Sequence, residues 1–393
     1  MNRALYVCLD RGVPVGGTKG ASIHVGEMIR ALAAEGCDVT LLARRVEASP
    51  PDATALPVTA VDGSFRFVPN RTLRRDLREV AARPRFRATV NAAIAGAAPS
   101  FVYERYALFR TEATTAARRA GIPVVLEVNA PLVEEEGRFR SLALRRLAER
   151  AERRAWSAAD IVVVPSTPLG RRVEAVRGRP VLVAPNAVDP AVFSPADPDR
   201  ELRTSLGLDG RFVVGFAGSL KAWHDLGTVV EAVAALGADG ALLLVGEGPD
   251  RAAVSARCER SGVRAAFTGA VPHDAVARYL ALADACVASL TADPSLDYFS
   301  PLKALEYMAC GRPAVVALAG DLRALVERQV AVGYRAGDAA DLAGVLRRLA
   351  EDPRERERLG AAGRAHAVGW TWRDVARQVL QTVASARSAS ATA

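Results

Sequence analysis

Three lysines stand out among the 52 basic residues of this chain, because every other one is arginine. Lys19, Lys221 and Lys303 each lie in a segment rich in glycine, serine or proline, whereas the arginines are spread over segments of helical period. Lysine is a compact point charge on a flexible stem, suited to a phosphate oxygen in a tight site where a planar guanidinium fork is too wide. The first segment, Gly12 to Gly20 with Gly16 and Gly17 at its centre, precedes a helix beginning near Ser22 and carrying His24. Glycines let backbone amides approach a phosphate, and the helix N-terminus favours negative charge. The second segment runs Gly218-Ser219-Leu220-Lys221-Ala222-Trp223-His224-Asp225. Backbone amides from Gly218 and Ser219, with positive charge from Lys221 or His224, would hold a diphosphate. The third, Ser300-Pro301-Leu302-Lys303, leads through Glu306 to Gly311. Ser300 suits an N-cap and Pro301 a first helical turn. Glu306 then falls about a turn and a half inside a helix followed by an apolar strand, which predicts a buried carboxylate.

Positioning such loops requires parallel sheets. Short β-branched runs alternate with Ala/Leu/Arg segments of helical period, the pattern of an α/β chain. Strands are predicted at 4–9, 38–43, 65–68, 101–103, 124–127, 161–164 and 181–184, and again at 212–217, 241–245, 264–268, 285–288 and 314–317. Residues 189–210, punctuated by Asp-Pro and Ser-Pro, break the rhythm and read as a connection. Two facing doubly wound, Rossmann-like sheets are therefore expected, with ligands outside the carboxyl ends of their strands. The expected boundaries are an N-terminal domain over 1–188, a C-terminal domain over 189–370, and a cleft between them. The residues from Ser385 onward are small and polar and are expected to fray.

Composition narrows the classes further. The 393 residues are 50% apolar and 24% charged, enough for two cores. No apolar run reaches a membrane-spanning length, and the apolar start from Ala4 to Leu9 is too short for a signal-peptide core. Five scattered cysteines predict neither a disulfide framework nor a zinc site, and a reducing cytoplasm is expected. Net charge is +8, but the basic residues are interleaved with acids and no nucleic-acid module is present, so nucleic acid is not an expected partner. The Arg-rich stretches 71–87 and 138–154 read either as solvated faces or as peripheral contacts with an anionic membrane face. The Gly-rich first turn lacks Gly-x-Gly-x-x-Gly spacing, and the second strand ends in Arg44-Arg45 rather than an acid. Both disfavour a nicotinamide cofactor, an NADP-like variant excepted.

The three loops, taken in order, resemble those of family 4 retaining glycosyltransferases of GT-B architecture. The resemblance extends to Val183-Ala-Pro-Asn186-Ala-Val-Asp189, Leu244-Val-Gly246-Glu-Gly248-Pro249, Phe267-Thr-Gly269-Ala-Val271 and Glu306-Tyr-Met-Ala-Cys-Gly311. It implies a hexosyl-type transfer from a UDP- or GDP-sugar, bound mainly by the C-terminal domain, to a small-molecule, natural-product or lipid-linked acceptor on the N-terminal domain. Glu306 would hold the donor ribose, the 269–272 turn including Val271 would read the base, and Ser300, Pro301 and Leu302 would touch the sugar hydroxyls. Gly16, Gly17, Gly218, Ser219, His224 and Gly246 complete the donor set. Lys19, His24, Glu127 and Asn129 fall on the acceptor side, and residues 371–393 would return as a helix to the first domain. No cofactor is expected beyond the nucleotide sugar, and no metal.

Two departures from the family pattern stand out. Tyr298 occupies the position where the pattern has a first glutamate, and the usual phosphate-loop Arg and Lys fall at Ser219 and His224. Lys221 and Lys303 are left as the cations, and with Glu306 they form the expected catalytic set. A nucleotide-sugar epimerase, a sugar-phosphate synthase or a non-catalytic nucleotide-sugar binder would share the same fold.

Overall fold

The computed structural model describes residues 2–57, 70–300 and 302–391. Within them the chain forms two compact units. One comprises Met1–Gly17, Ala21–Pro185 and Arg373–Ala393; the other comprises Thr18–Gly20 and Asn186–Trp372.

The first unit is built on seven parallel strands: β1 (Asn2–Cys8), β2 (Cys37–Ala43), β3 (Thr54–Pro57), β4 (Phe101–Arg105), β5 (Val124–Glu127), β6 (Ile161–Val164) and β7 (Leu182–Val183). Their order is β3-β2-β1-β4-β5-β6-β7. The second holds six: β8 (Phe212–Ala217), β9 (Gly240–Val245), β10 (Arg264–Gly269), β11 (Ala285–Ala288), β12 (Ala314–Ala317) and β13 (Val332–Tyr334), in the order β10-β9-β8-β11-β12-β13. Every registered pair is parallel. Helices cover both faces of such sheets, so their central strands are continuous apolar runs. Val162–Val164 and Leu242–Val245 are buried throughout, and each such side chain contributes about 1.5–3 kcal/mol by leaving water.

Strand order reverses between β1 and β4 in the first sheet and between β8 and β11 in the second. Neighbouring crossovers leave toward opposite faces there, which opens a crevice at the carboxyl edge. The loops after β8 and β11 therefore flank one crevice, and those after β1 and β4 flank another.

Several sequence expectations shift. The strand expected at 65–68 lies outside the described residues. Thr54–Pro57 and Val332–Tyr334 are strands that the pattern did not announce. The last helix runs from Trp372 to Ala391, through the segment expected to fray. Within the first unit, Arg373 of that helix donates to Glu35 at 2.9 Å. All five cysteines are free and buried. Among the described residues, no helix is long and apolar enough to cross a membrane.

Candidate active site

The β8 loop is shaped by close approach of two backbones. Gly218 N–H donates to the Val245 carbonyl at 2.9 Å, and Leu220 N–H to the Glu247 carbonyl at 3.1 Å. Gly246 has φ +134°, and a Cβ there would collide with the Gly218 carbonyl, so only glycine fits. The Gly218 amide is thus committed within the fold. That corrects the expectation that it would serve a ligand.

Beyond Leu220 the loop does not enter a long helix directly. A short turn, Ala222–His224, ends at Asp225, which adopts φ +45° and accepts from Thr228 Oγ1 at 2.6 Å. The turn carries His224 inward until it is 4% exposed. Ser289 Oγ, just past β11, donates to the His224 carbonyl, which joins the two loops across the crevice. Trp223 lies beneath Lys221, whose Nζ sits 4.5 Å from the ring centroid.

The β11 loop delivers the third lysine. Asn186 Nδ2 donates to the Ser300 carbonyl at 2.6 Å and fixes the chain just before the helix Leu302–Ala309. Lys303 lies in the first turn of this helix rather than in a loop, and it is 8% exposed. Its Nζ stands 3.3 Å from both ring nitrogens of His224 and 4.0 Å over the Phe216 ring. Burial pushes the Lys303 ammonium down to about 7, helped by Lys221 and opposed by Glu306. Burial, then Lys303, hold His224 well below the usual imidazole range. His224 is therefore neutral near pH 7 and accepts from Lys303. The expectation that it supplies positive charge is corrected.

One turn further on, Glu306 is 9% exposed. His273, in the turn after β10, stands with Nε2 2.8 Å from Glu306 Oε1. Tyr307, next in the helix, accepts from Ala217 N–H at 2.8 Å and ties the helix to the end of β8. Tyr298 is 4% exposed and packs edge-on against Phe299, whose ring meets His224. This position supplies ring packing in place of a carboxylate. Val271 is half-buried beside His273. Pro301 lies outside the described residues. Lys221, His224, Lys303, Glu306 and Ser300 thus come together with Gly218, Ser219 and Gly246 at one end of the second sheet.

The first unit gathers a separate set. Glu127 ends β5 at 2% exposure, and its Oε1 faces His24 Nε2 at 2.9 Å, Arg105 Nη1 at 2.6 Å and the side-chain amide of Asn129. Tyr6 hydroxyl donates to Oε2 at 3.4 Å. Burial alone would raise the Glu127 carboxyl, but His24, Arg105 and the hydrogen bonds outweigh it and hold the group well below the usual range. Such a carboxylate, saturated by donors, organises its neighbours and has little capacity left to touch a substrate. The Gly12–Gly20 loop is pinned to the loop after β2: Val15 N–H donates to the Arg45 carbonyl at 2.9 Å, and Glu47 N–H to Val15 at 2.8 Å. Gly16, at φ +77°, permits this close packing. Gly17 N–H turns back to Pro14 at 3.3 Å. Lys19 is exposed.

Sequence reasoning missed His273 and Arg105, and gave Asn186 no role beyond its place in a motif. Asn186 and Arg105 stand at or just past strand ends, where polar side chains reach a crevice. His273 gave no signal beyond its place after the 269–272 turn. Among the described residues no three His, Cys, Asp or Glu side chains converge as metal ligands would.

Two parallel doubly wound sheets, each with polar groups gathered at its reversal point, agree with the GT-B architecture. Residues 18–192 match the model of Glycosyltransferase Family 4, and residues 211–352 that of the group 1 glycosyl transferases. A D-inositol 3-phosphate glycosyltransferase of Frankia alni is 30% identical over 96% of this chain and 97% of its own. A 2-deoxystreptamine glucosyltransferase of Streptomyces kanamyceticus is 28% identical over 61% of this chain, and the match spans only 64% of that relative's length. Among solved structures, sucrose-phosphate synthase from Thermosynechococcus elongatus superposes with a TM-score of 0.76 at 22% identity, covering 99% of this chain and 100% of the other. The chain belongs to glycosyltransferase family 4.

Proposed function

We propose that this enzyme transfers a sugar, with retention, from a UDP- or GDP-sugar to a small-molecule, natural-product or lipid-linked acceptor, without a metal ion. One observation carries the reading: two lysines converge on the crevice at the β8/β11 reversal, and one of them is buried. Burial, and to a smaller extent Lys221, disfavours the charged form of Lys303. A diphosphate entering there relieves that cost and is gripped in return. The relatives named above are a D-inositol 3-phosphate glycosyltransferase and a 2-deoxystreptamine glucosyltransferase, which supports a polyhydroxylated acceptor.

In the reaction the bond from the anomeric carbon to the diphosphate oxygen breaks, and a bond from the acceptor oxygen to the same carbon forms. The acceptor's proton passes to the departing phosphate oxygen, so no protein base is required. The products are a glycoside and a nucleoside diphosphate. Negative charge grows on the leaving group in the transition state, where Lys221 and Lys303 are already in place; such preorganised charge is generally the largest catalytic contribution. Glu306 accepts from the ribose hydroxyls, and the turn 269–272 reads the base. The first unit would hold the acceptor, with His24 and Asn129 on that side and Glu127 orienting both; Lys19, expected with them, belongs to the second unit.

The test is turnover of a panel of UDP- and GDP-sugars with inositol-type and aminocyclitol acceptors, followed by NMR of the product's anomeric centre. An axial donor linkage kept axial in the product is expected. An inverted product would overturn the mechanism, and donor hydrolysis or epimerisation without any acceptor dependence would overturn the transfer itself.

A further inference from the structure

The carboxylate assigned to the ribose does not stand alone. Glu306 and His273 come from different segments, a helix after the third loop and a turn after β10, yet they meet at 2.8 Å. A carboxylate oxygen only accepts, so His273 Nε2 carries the hydrogen and donates it. The imidazole is itself held: its ring packs 5.0 Å from that of Phe193, tilted by 60°. Phe193 is 1% exposed, and its carbonyl accepts from Arg364 Nη1 at 2.7 Å. A packed ring thus sets the imidazole, and the imidazole sets one oxygen of Glu306.

A glutamate side chain has three rotatable torsions and loses binding power if it must be ordered when the ligand arrives. Fixing one oxygen in advance fixes the plane of the carboxylate and presents the second oxygen in one direction. A vicinal diol is well read by such a group. A sugar lacking one of the two hydroxyls leaves an oriented, partly buried acceptor unpaired, which is how polar sites reject an analogue. A freely turning carboxylate would instead find water and discriminate less.

We infer that His273 is a specificity-determining positioning residue: by orienting Glu306 it makes the site select ribonucleoside over 2′-deoxyribonucleoside diphosphates. This rests on the assignment of Glu306 to the donor ribose.

The experiment is calorimetric titration of the full chain with UDP and GDP and with their 2′-deoxy counterparts. Four proteins are compared: the parent, Glu306→Gln, His273→Phe and His273→Gln. Melting temperatures are recorded alongside. The readout is the ratio of ribo to deoxy affinity, which a loss of general stability does not move. The parent should favour the ribo form, and His273→Phe should reduce the preference by about threefold or more through the freed rotamers of Glu306. His273→Gln, whose amide can donate to Oε1, should keep most of it. An unchanged ratio in His273→Phe, while Glu306→Gln abolishes the preference, would overturn the role of His273 alone. A preference that survives Glu306→Gln, or a parent that binds none of the four nucleotides, would overturn the ribose assignment as well.

Discussion

Lys303 Nζ lies 3.3 Å from both nitrogens of the His224 ring, with the Phe216 ring 4.0 Å below it. This arrangement stabilises a cation only partly. Burial works against the charged form, Glu306 favours it and Lys221 opposes it, and the balance leaves the ammonium near 7.

A pH dependence follows. A diphosphate beside Lys303 favours the protonated form, so the group's pKa in the complex lies above its value in the free enzyme. Binding then takes up a proton between the two values, and affinity falls as pH rises through that window. Titrations with UDP or GDP at pH 8 in two buffers of different ionisation enthalpy should show net proton uptake, and the dissociation constant should rise from pH 7 to pH 9. Proton release, or an affinity that is flat across that range, would place the diphosphate elsewhere.

How far the sequence reveals this site depends on what carries each part. Strands buried on both faces announce themselves as apolar runs, as at Ile161–Val164. Thr54–Pro57 is an edge strand ending in proline, and Val332–Tyr334 has three residues, so neither has room to show a period. Lys221 and Lys303 were legible because nearly every other basic residue is arginine. The burial of Lys303 was not legible: it depends on the Phe216 ring, 87 positions away in the chain. The Glu306–His273 contact spans 33 positions, with β11 between the two residues in the chain, and no local pattern encodes such a meeting.

Turnover should survive chelation. In the proposed mechanism two lysines supply countercharge to the leaving group, and the gathered carboxylates are engaged by His273 or by His24 and Arg105. Transfer rates with and without excess EDTA should agree. Loss of activity restored by Mg²⁺ or Mn²⁺ would reject the metal-independent mechanism.

The first unit carries its own acid sensitivity through Glu127. A carboxyl held below its unfolded value stabilises the fold above the ordinary carboxylate range, and that contribution fades as pH falls through the folded value. Glu127→Gln removes the charge and leaves Arg105 buried without its partner. Breaking a buried pair in this way costs about 3–5 kcal/mol. Thermal melts should show a lower melting temperature for Glu127→Gln at pH 7 and a narrowing gap from the parent as pH falls toward 3. Equal melting temperatures at pH 7 would show that the pair contributes nothing net.

The central claim, that lysines hold the departing diphosphate, is tested most directly by Lys221→Met and Lys303→Met, with single-turnover transfer and thermal stability measured on the same preparations. A lost charge-assisted contact to phosphate costs about 1.5–3 kcal/mol, hence a rate lower by roughly ten- to a hundredfold. Lys303→Met should melt no lower than the parent, because it replaces a group whose charged form is disfavoured by burial with an apolar one of similar length. Slow transfer from two well-folded variants is the predicted result. Parent rates in both would contradict the account and leave backbone amides to hold the leaving group.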